Sequence, residues 1–138
     1  MIVNVQRKIR VSTRDFIPFV EGLSGSVHET EGRDFSVAFV SDRRMKELNA
    51  FFRGKDSTTD VLSFPNEHDE FDTDNNLGDI VISVEQATKQ AAENGLTFDN
   101  EIKQLILHGL LHLCGYDHET DDGEMNSREL QLRKKLKI

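Results

Sequence analysis

Between Leu107 and Thr120 the chain reads LHGLLHLCGYDHET, which sets His108, His112 and His118 in the spacing HxxxHxxGxxH. Imidazole is a common protein ligand for zinc and several other metals, so the first question is whether three rings so spaced can reach one ion. Residues four apart on an α-helix lie about 40° apart around the axis and one turn apart along it, which aims His108 and His112 into the same space. A third ligand must come from chain that has left the helix and turned back. Gly115 provides for that turn, because glycine takes the left-handed conformation that ends a helix sharply, and His118 follows three residues later. Three neutral nitrogens leave the fourth position of a tetrahedral Zn²⁺ to water, as in catalytic rather than closed structural sites. We therefore expect one Zn²⁺ per chain on His108, His112 and His118, although imidazole also suits nickel, copper and iron. Any one of these histidines alone would read as a ring packed on a helix face or carried in a polar loop. The weight comes from three of the chain's five histidines falling so close together around a glycine.

One neighbouring position separates reaction classes. Peptidases built on HExxHxxGxxH carry a glutamate directly after the first histidine, where it takes a proton from the zinc water. Here that residue is Gly109. Peptide hydrolysis therefore ranks second, with Asp117 the nearest substitute base in sequence. Asp117 has two other readings: it hydrogen-bonds a ligand ring, or it caps the turn after Gly115. Cys114 projects about 140° away from the mean direction of the two helical histidines and reads as core filler, not as a ligand.

The elements that must hold this group are legible from hydrophobic period and punctuation. Short strands are predicted at residues 2–5, 35–40, 61–64 and 77–83, the third halted by Pro65, which cannot donate to a ladder. Helices are predicted at residues 14–23, from a cap at Ser41 or Asp42 through Phe52, at 84–93, from Thr97 through the histidine segment, and at 119–136. Residues 66–76, rich in acids, read as a loop. The histidine helix is apolar nearly all round, with Ile102, Leu105, Ile106, Leu107, Leu110, Leu111, Leu113 and Cys114, so it should be central and buried. The expected fold class is α/β (α+β): a single mixed four-stranded sheet packed with about five helices. No linker, repeat or low-complexity segment interrupts the 138 residues, which we read as one domain.

Composition bounds the rest. The net charge of −8 argues at first against nucleic acid, since phosphate binding draws on Lys and Arg. Its distribution is uneven. Arg7, Lys8, Arg10 and Arg14 face no acid within residues 1–14, and Arg43, Arg44, Lys46, Arg53 and Lys55 face only Asp42 and Glu47 within residues 42–55. Acids gather in 67–74 and 117–124. Solvated surface accounts for such runs, and a basic groove is the sharper alternative. No apolar run approaches the length needed to span a bilayer, nothing marks the chain for export, and a single cysteine forms no internal disulfide, which together suit a cytoplasmic protein.

HGLLHLCGYDH at 108–118 resembles the signature of the YbeY endoribonucleases, bacterial enzymes associated with ribosomal RNA maturation and ribosome quality control. NAFFRGKDSTTDVLSFP at 49–65 and LGDIVIS at 77–83 agree with that family in order and spacing. The resemblance spans residues 49–118; the first 48 residues and the last helix carry little of it. Thr58 stands where the family commonly has proline, and Cys114 in a usually aliphatic slot. The resemblance implies a metal-dependent, single-strand-specific endoribonuclease acting in 16S rRNA 3′-end maturation, with ribosomal RNA and the ribosome or small-subunit proteins as partners and no membrane.

It also implies a role for Arg53 beside the metal. Taken alone, Arg53 reads as a solvated cation at a helix end. Phosphodiester cleavage, however, builds negative charge on phosphoryl oxygens, to which a guanidinium offers permanently charged, planar donors. The catalytic set so implied is Arg53, His108, His112 and His118, with Zn²⁺ polarising a phosphate oxygen, activating water, or both. Asp60 and Asp79 read as polar anchors at strand ends, and Ser63 and Phe64 as groove-lining candidates, with core packing the more natural fate of Phe64. His28 and His68 lack ligand spacing and read as exposed. A third hypothesis, a ribosome-associated binding protein with structural zinc, draws on the acidic total and the missing general base.

Overall fold

A computed structural model describes residues 1–66 and 75–138. His68 and most of the acidic loop expected at 66–76 lie outside the described residues. The chain forms β1 (Ile2–Asn4), α1 (Ile17–Ser26), β2 (Asp34–Val40), α2 (Asp42–Arg53), β3 (Val61–Pro65), β4 (Asn76–Ser83), α3 (Val84–Asn94), α4 (Phe98–Leu113) and α5 (Glu124–Leu136), with short 3₁₀ turns before and after α1. The strands make one four-stranded sheet in the order β1-β2-β4-β3. β1 and β4 run parallel to β2, and β3 closes the edge antiparallel to β4. This is the mixed sheet with five α-helices expected from the sequence.

Strand period decides which helix packs where. Phe35, Val37 and Phe39 of β2 and Ile80 and Ile82 of β4 point to one face, where they meet Ile102, Ile106, Leu107, Leu110 and Leu111 of α4 and Phe16, Val20 and Leu23 from the α1 region. Val40, Leu62 and Val81 point to the other face and pack with Met45 of α2. Burying these side chains contributes roughly 1.5–3 kcal/mol each. The helix carrying the histidines is thus the central one, as its all-round apolarity requires.

Helix starts follow their caps. Ser41, Ser83 and Thr97 each accept a hydrogen bond from the backbone N–H three residues on. Two predicted boundaries move. A 3₁₀ turn at Thr13–Phe16 precedes α1, which starts at Ile17 with Pro18 in its first turn, where a missing N–H costs nothing, and runs on to Ser26. α5 starts at Glu124 rather than near residue 119. The Asp121 carboxylate accepts from Gly123 N at 2.9 Å and Met125 N at 3.0 Å, and Gly123 has φ 101°, so residues 117–123 form turns before the helix. Thr58 donates to the Asp42 carboxylate, which also receives Ser83 and Gln86. Proline could not make that bond.

Candidate metal centre

The α4 helix delivers two imidazoles and its C-terminal turn delivers the third. At the helix end, Tyr116 N donates to Leu111 O at 3.1 Å and Gly115 N to His112 O at 3.0 Å, with Gly115 at φ 102°. This pair of bonds is the Schellman closure, and its positive-φ residue is what reverses the chain. His118 is thereby brought back over α4. One ring nitrogen each from His108, His112 and His118 lie within 4.8 Å of one another, and the ring centroids are 4.9, 5.4 and 5.1 Å apart. The cluster fits a metal ion.

Two of the rings are held from behind. His108 donates through Nδ1 to Glu129 Oε1 at 2.6 Å, and His112 donates through Nδ1 to Tyr116 O at 3.0 Å. Both bonds engage Nδ1 and leave Nε2 for coordination, and such backing fixes tautomer and ring orientation. Glu129, only 6% exposed, also receives Arg133 Nη2 at 2.8 Å. Burial works to raise its pKa, but the hydrogen bond from His108 and the nearby charge of His108 and Arg133 outweigh it and hold the carboxyl below its ordinary value. The His112 pKa is lowered, first by burial and then by the neighbouring His108 and His118. A neutral imidazole is the form that binds metal.

The Tyr116 backing is itself tied down. Its hydroxyl donates to Glu29 Oε2 at 2.8 Å, and Arg128 grips the same carboxylate through Nε at 2.8 Å and Nη2 at 2.9 Å. The Arg128 hydrogen bond, against opposing burial, pulls Glu29 from 4.5 to about 2. Sequence reasoning missed Glu129, Glu29 and Arg128. Glu129 lies 21 positions from His108, Glu29 87 from Tyr116 and Arg128 99 from Glu29, and no local motif flags them.

The remaining expected residues sort clearly. The three histidines open on a cleft of about 650 Å³ whose lining includes Arg53, Asp60, Ser63, Asp117 and Glu119. Arg53, at the end of α2, is the only Lys or Arg in that lining; its side chain is 41% exposed and its Nη2 sits 3.8 Å from Glu119 Oε1. Arg43 and Arg44 pair with Glu47, and Lys46 with Asp56. Asp117 caps its turn, accepting from Glu119 N at 3.0 Å. Ser63 lines the cleft and donates to Gly109 O at 3.0 Å, whereas Phe64 faces the other side and meets Phe52 edge-on at 5.0 Å. Asp60 accepts from Val61 N at 2.8 Å at a strand start. His28 is exposed. Burial pushes the Cys114 thiol up to about 11, and the clustered ligand atoms are those of His108, His112 and His118 without it. No helix among the described residues is long and apolar enough to cross a membrane.

Gly109 has a packing reason. A Cβ there would stand 2.8 Å from Ile80 Cγ2, and Ile80 is fully buried. The glutamate that the peptidase motif places at this position does not fit against β4.

A mixed sheet that carries a helix and its reversing turn beneath an open cleft of three imidazoles defines an α/β protein built to hold one cation. The family model described as Endoribonuclease YbeY matches residues 1–137. The chain is 51% identical over 106 residues to Endoribonuclease YbeY of Nautilia profundicola, covering 77% of this chain and 74% of that protein. It is 37% identical to that of Thermodesulfovibrio yellowstonii over 99% of this chain and 96% of that one. Among solved structures, it matches the solution structure of TM1509 from Thermotoga maritima with a TM-score of 0.65 and 30% identity, covering 99% of this chain and 92% of that one. The chain belongs to the YbeY endoribonuclease family.

Proposed function

We propose that residues 1–138 act as one metal-dependent endoribonuclease domain that cuts single-stranded RNA, with His108, His112 and His118 holding one Zn²⁺ and Arg53 completing the catalytic set. The observation that carries this reading is the convergence of three imidazoles, two of them backed, with one arginine on a single open cleft. The ligand set fits zinc: three nitrogen donors, and Nδ1 bonds on two rings that leave Nε2 free. When bound, zinc supplies Lewis acidity that polarises a phosphate oxygen and makes a water acidic near pH 7.

The chain's own residues do the rest. Arg53 binds non-bridging oxygens of the scissile phosphate and stabilises the charge that grows there, exchanging Glu119 for the substrate. Glu129 and the Tyr116 carbonyl keep two rings oriented while substrate enters. The exposed edge backbone of β3, with Ser63 in the cleft, offers a rail for an extended strand. Family membership supports ribosomal RNA as the substrate, and we place the reaction at 16S rRNA 3′-end maturation in the cytoplasm, on or near the ribosomal small subunit.

The test uses purified protein beside its His112→Ala variant, offered single-stranded RNA, structured RNA and unfolded protein, with and without chelator. Cleavage of single-stranded RNA that is absent in both the variant and the chelated sample supports the reading. Proteolysis, or metal retention without any turnover, overturns it. The new ends identify the nucleophile, a cyclic phosphate reporting the ribose 2′-OH and a linear phosphate reporting water.

A further inference from the structure

An endonuclease differs from an exonuclease in one geometric demand: the strand must continue on both sides of the bond that is cut. The histidine cleft has such a continuation. A second cavity of about 440 Å³ opens between α3, α4 and α5, and it shares Asp60 and His108 with the first. The two cavities therefore meet at a metal-binding ring.

The lining of the second cavity is unlike that of a phosphate site. It presents two carboxylates, Asp60 and Glu101, and three side-chain amides, Gln90, Asn94 and Gln104, with Arg133 the only cation. Two acids in so small a space repel phosphate, whereas a mixed set of acceptors and amides is what reads the edge of a base. Glu101 is only 3% exposed, which is unusual for a glutamate without a Lys or Arg partner among the described residues. Its carboxylate accepts only weak or amide bonds: from Asn94 Nδ2 at 3.3 and 3.5 Å, and from the Gln90 amide, which when turned to donate reaches Glu101 Oε1 at 3.1 Å and Asp60 Oδ2 at 3.2 Å. Acceptor capacity is left over. Arg133 of α5, whose Nη2 is held by Glu129 Oε2 at 2.8 Å, brings a guanidinium to the same lining. Glu101 thus lines the cavity with acceptor capacity unspent.

We propose that this second cavity is a base-binding subsite which takes the nucleobase of a nucleotide beside the scissile phosphate, guanine by preference. The inference rests on the ribonuclease reading above. Guanine presents two adjacent N–H donors on its Watson–Crick edge, which match the two oxygens of one carboxylate, and acceptors at O6 and N7 that suit a guanidinium or an amide. Uracil offers a single N–H flanked by two carbonyls and would face Glu101 acceptor to acceptor. Gln104, half-buried on α4 one turn from His108, lines the second cavity and can hydrogen-bond a seated base.

The test reads binding and cutting separately. Side-chain amide signals of Gln90, Asn94 and Gln104 are followed by NMR in the chelated full-length protein while guanosine or uridine is added. Guanosine is expected to shift them and uridine to leave them in place, with the guanosine affinity about tenfold weaker in Gln104→Leu and in the isosteric Glu101→Gln. Sequencing the ends of a digested random single-stranded RNA should then show one base enriched at one position beside the cut, and Gln104→Leu should flatten that enrichment while total cleavage persists. Equal response to the two nucleosides, no response to either, or an unflattened preference in Gln104→Leu overturns the subsite. Guanosine binding without RNA cleavage overturns the ribonuclease reading and leaves the subsite standing.

Discussion

His108 and His112 differ from His118 in how the fold holds their rings. The first two stand on a buried helix, and each has its Nδ1 held by an acceptor that is itself anchored: Glu129 by Arg133, and the Tyr116 carbonyl by the Glu29–Arg128 grip on that tyrosine. His118 is exposed, its ring makes no hydrogen bond among the described residues, and its place is set by the turn at Gly115. Two rings of the trio are preorganised by packing and the third by backbone conformation alone. Rigid support is what sites needing accurate geometry draw on, and the helical pair has it while the third ring does not.

Several variants would break or sharpen that contrast. The largest effect is expected for His112→Ala, which removes a backed ring; isothermal titration should find no zinc binding, and RNA cleavage should fall to background. His118→Ala should retain weakened binding, because the helical pair still chelates, and equal loss in the two variants would erase the distinction. Arg53→Ala should leave zinc affinity unchanged while kcat on single-stranded RNA drops about 10²–10³-fold, and Arg53→Lys should recover little of it. Glu129→Gln should weaken zinc binding by about 10–100-fold, as loss of an outer carboxylate typically does. Gly115→Ala forces a side chain into positive φ and should cost about 1–2 kcal/mol in denaturant unfolding, with a loss of zinc affinity that traces to His118.

The smallest effect is the acid limb of stability. Glu29 is held at about 2 against an ordinary 4.5, so its contribution is complete above pH 4.5 and fades as the pH falls toward 2. Glu29→Gln should therefore lower stability by about 1–2 kcal/mol at pH 7, after allowance for solvent screening, and by progressively less in acid. A difference that grows on acidification would reverse the sign and refute the Arg128 grip.

What the sequence made legible divides along the same line. The histidine spacing, the helix-ending glycine and the caps at Ser41 and Thr97 are local, so residue type and offset announce them. The position of α4 was legible because an all-round apolar helix has nowhere else to go. Glu129, Glu29 and Arg128 were hidden, since each acts across the fold and none carries a pattern of its own. The early start assigned to the last helix failed for a local reason, the Asp121 carboxylate closing a turn around Gly123 before the helix begins. Phe64 packs with Phe52 on the α2 face of the sheet, the fate its aromatic ring favoured over lining the groove.

The most direct measurement is anomalous scattering at the zinc edge from crystals grown with the metal. The account expects one peak per chain about 2.0–2.1 Å from a nitrogen of His108, His112 and His118, with the remaining position facing the cleft and no fourth protein ligand. A peak held by other residues, a protein atom filling that fourth position, or fully loaded crystals with the three rings unliganded would contradict it.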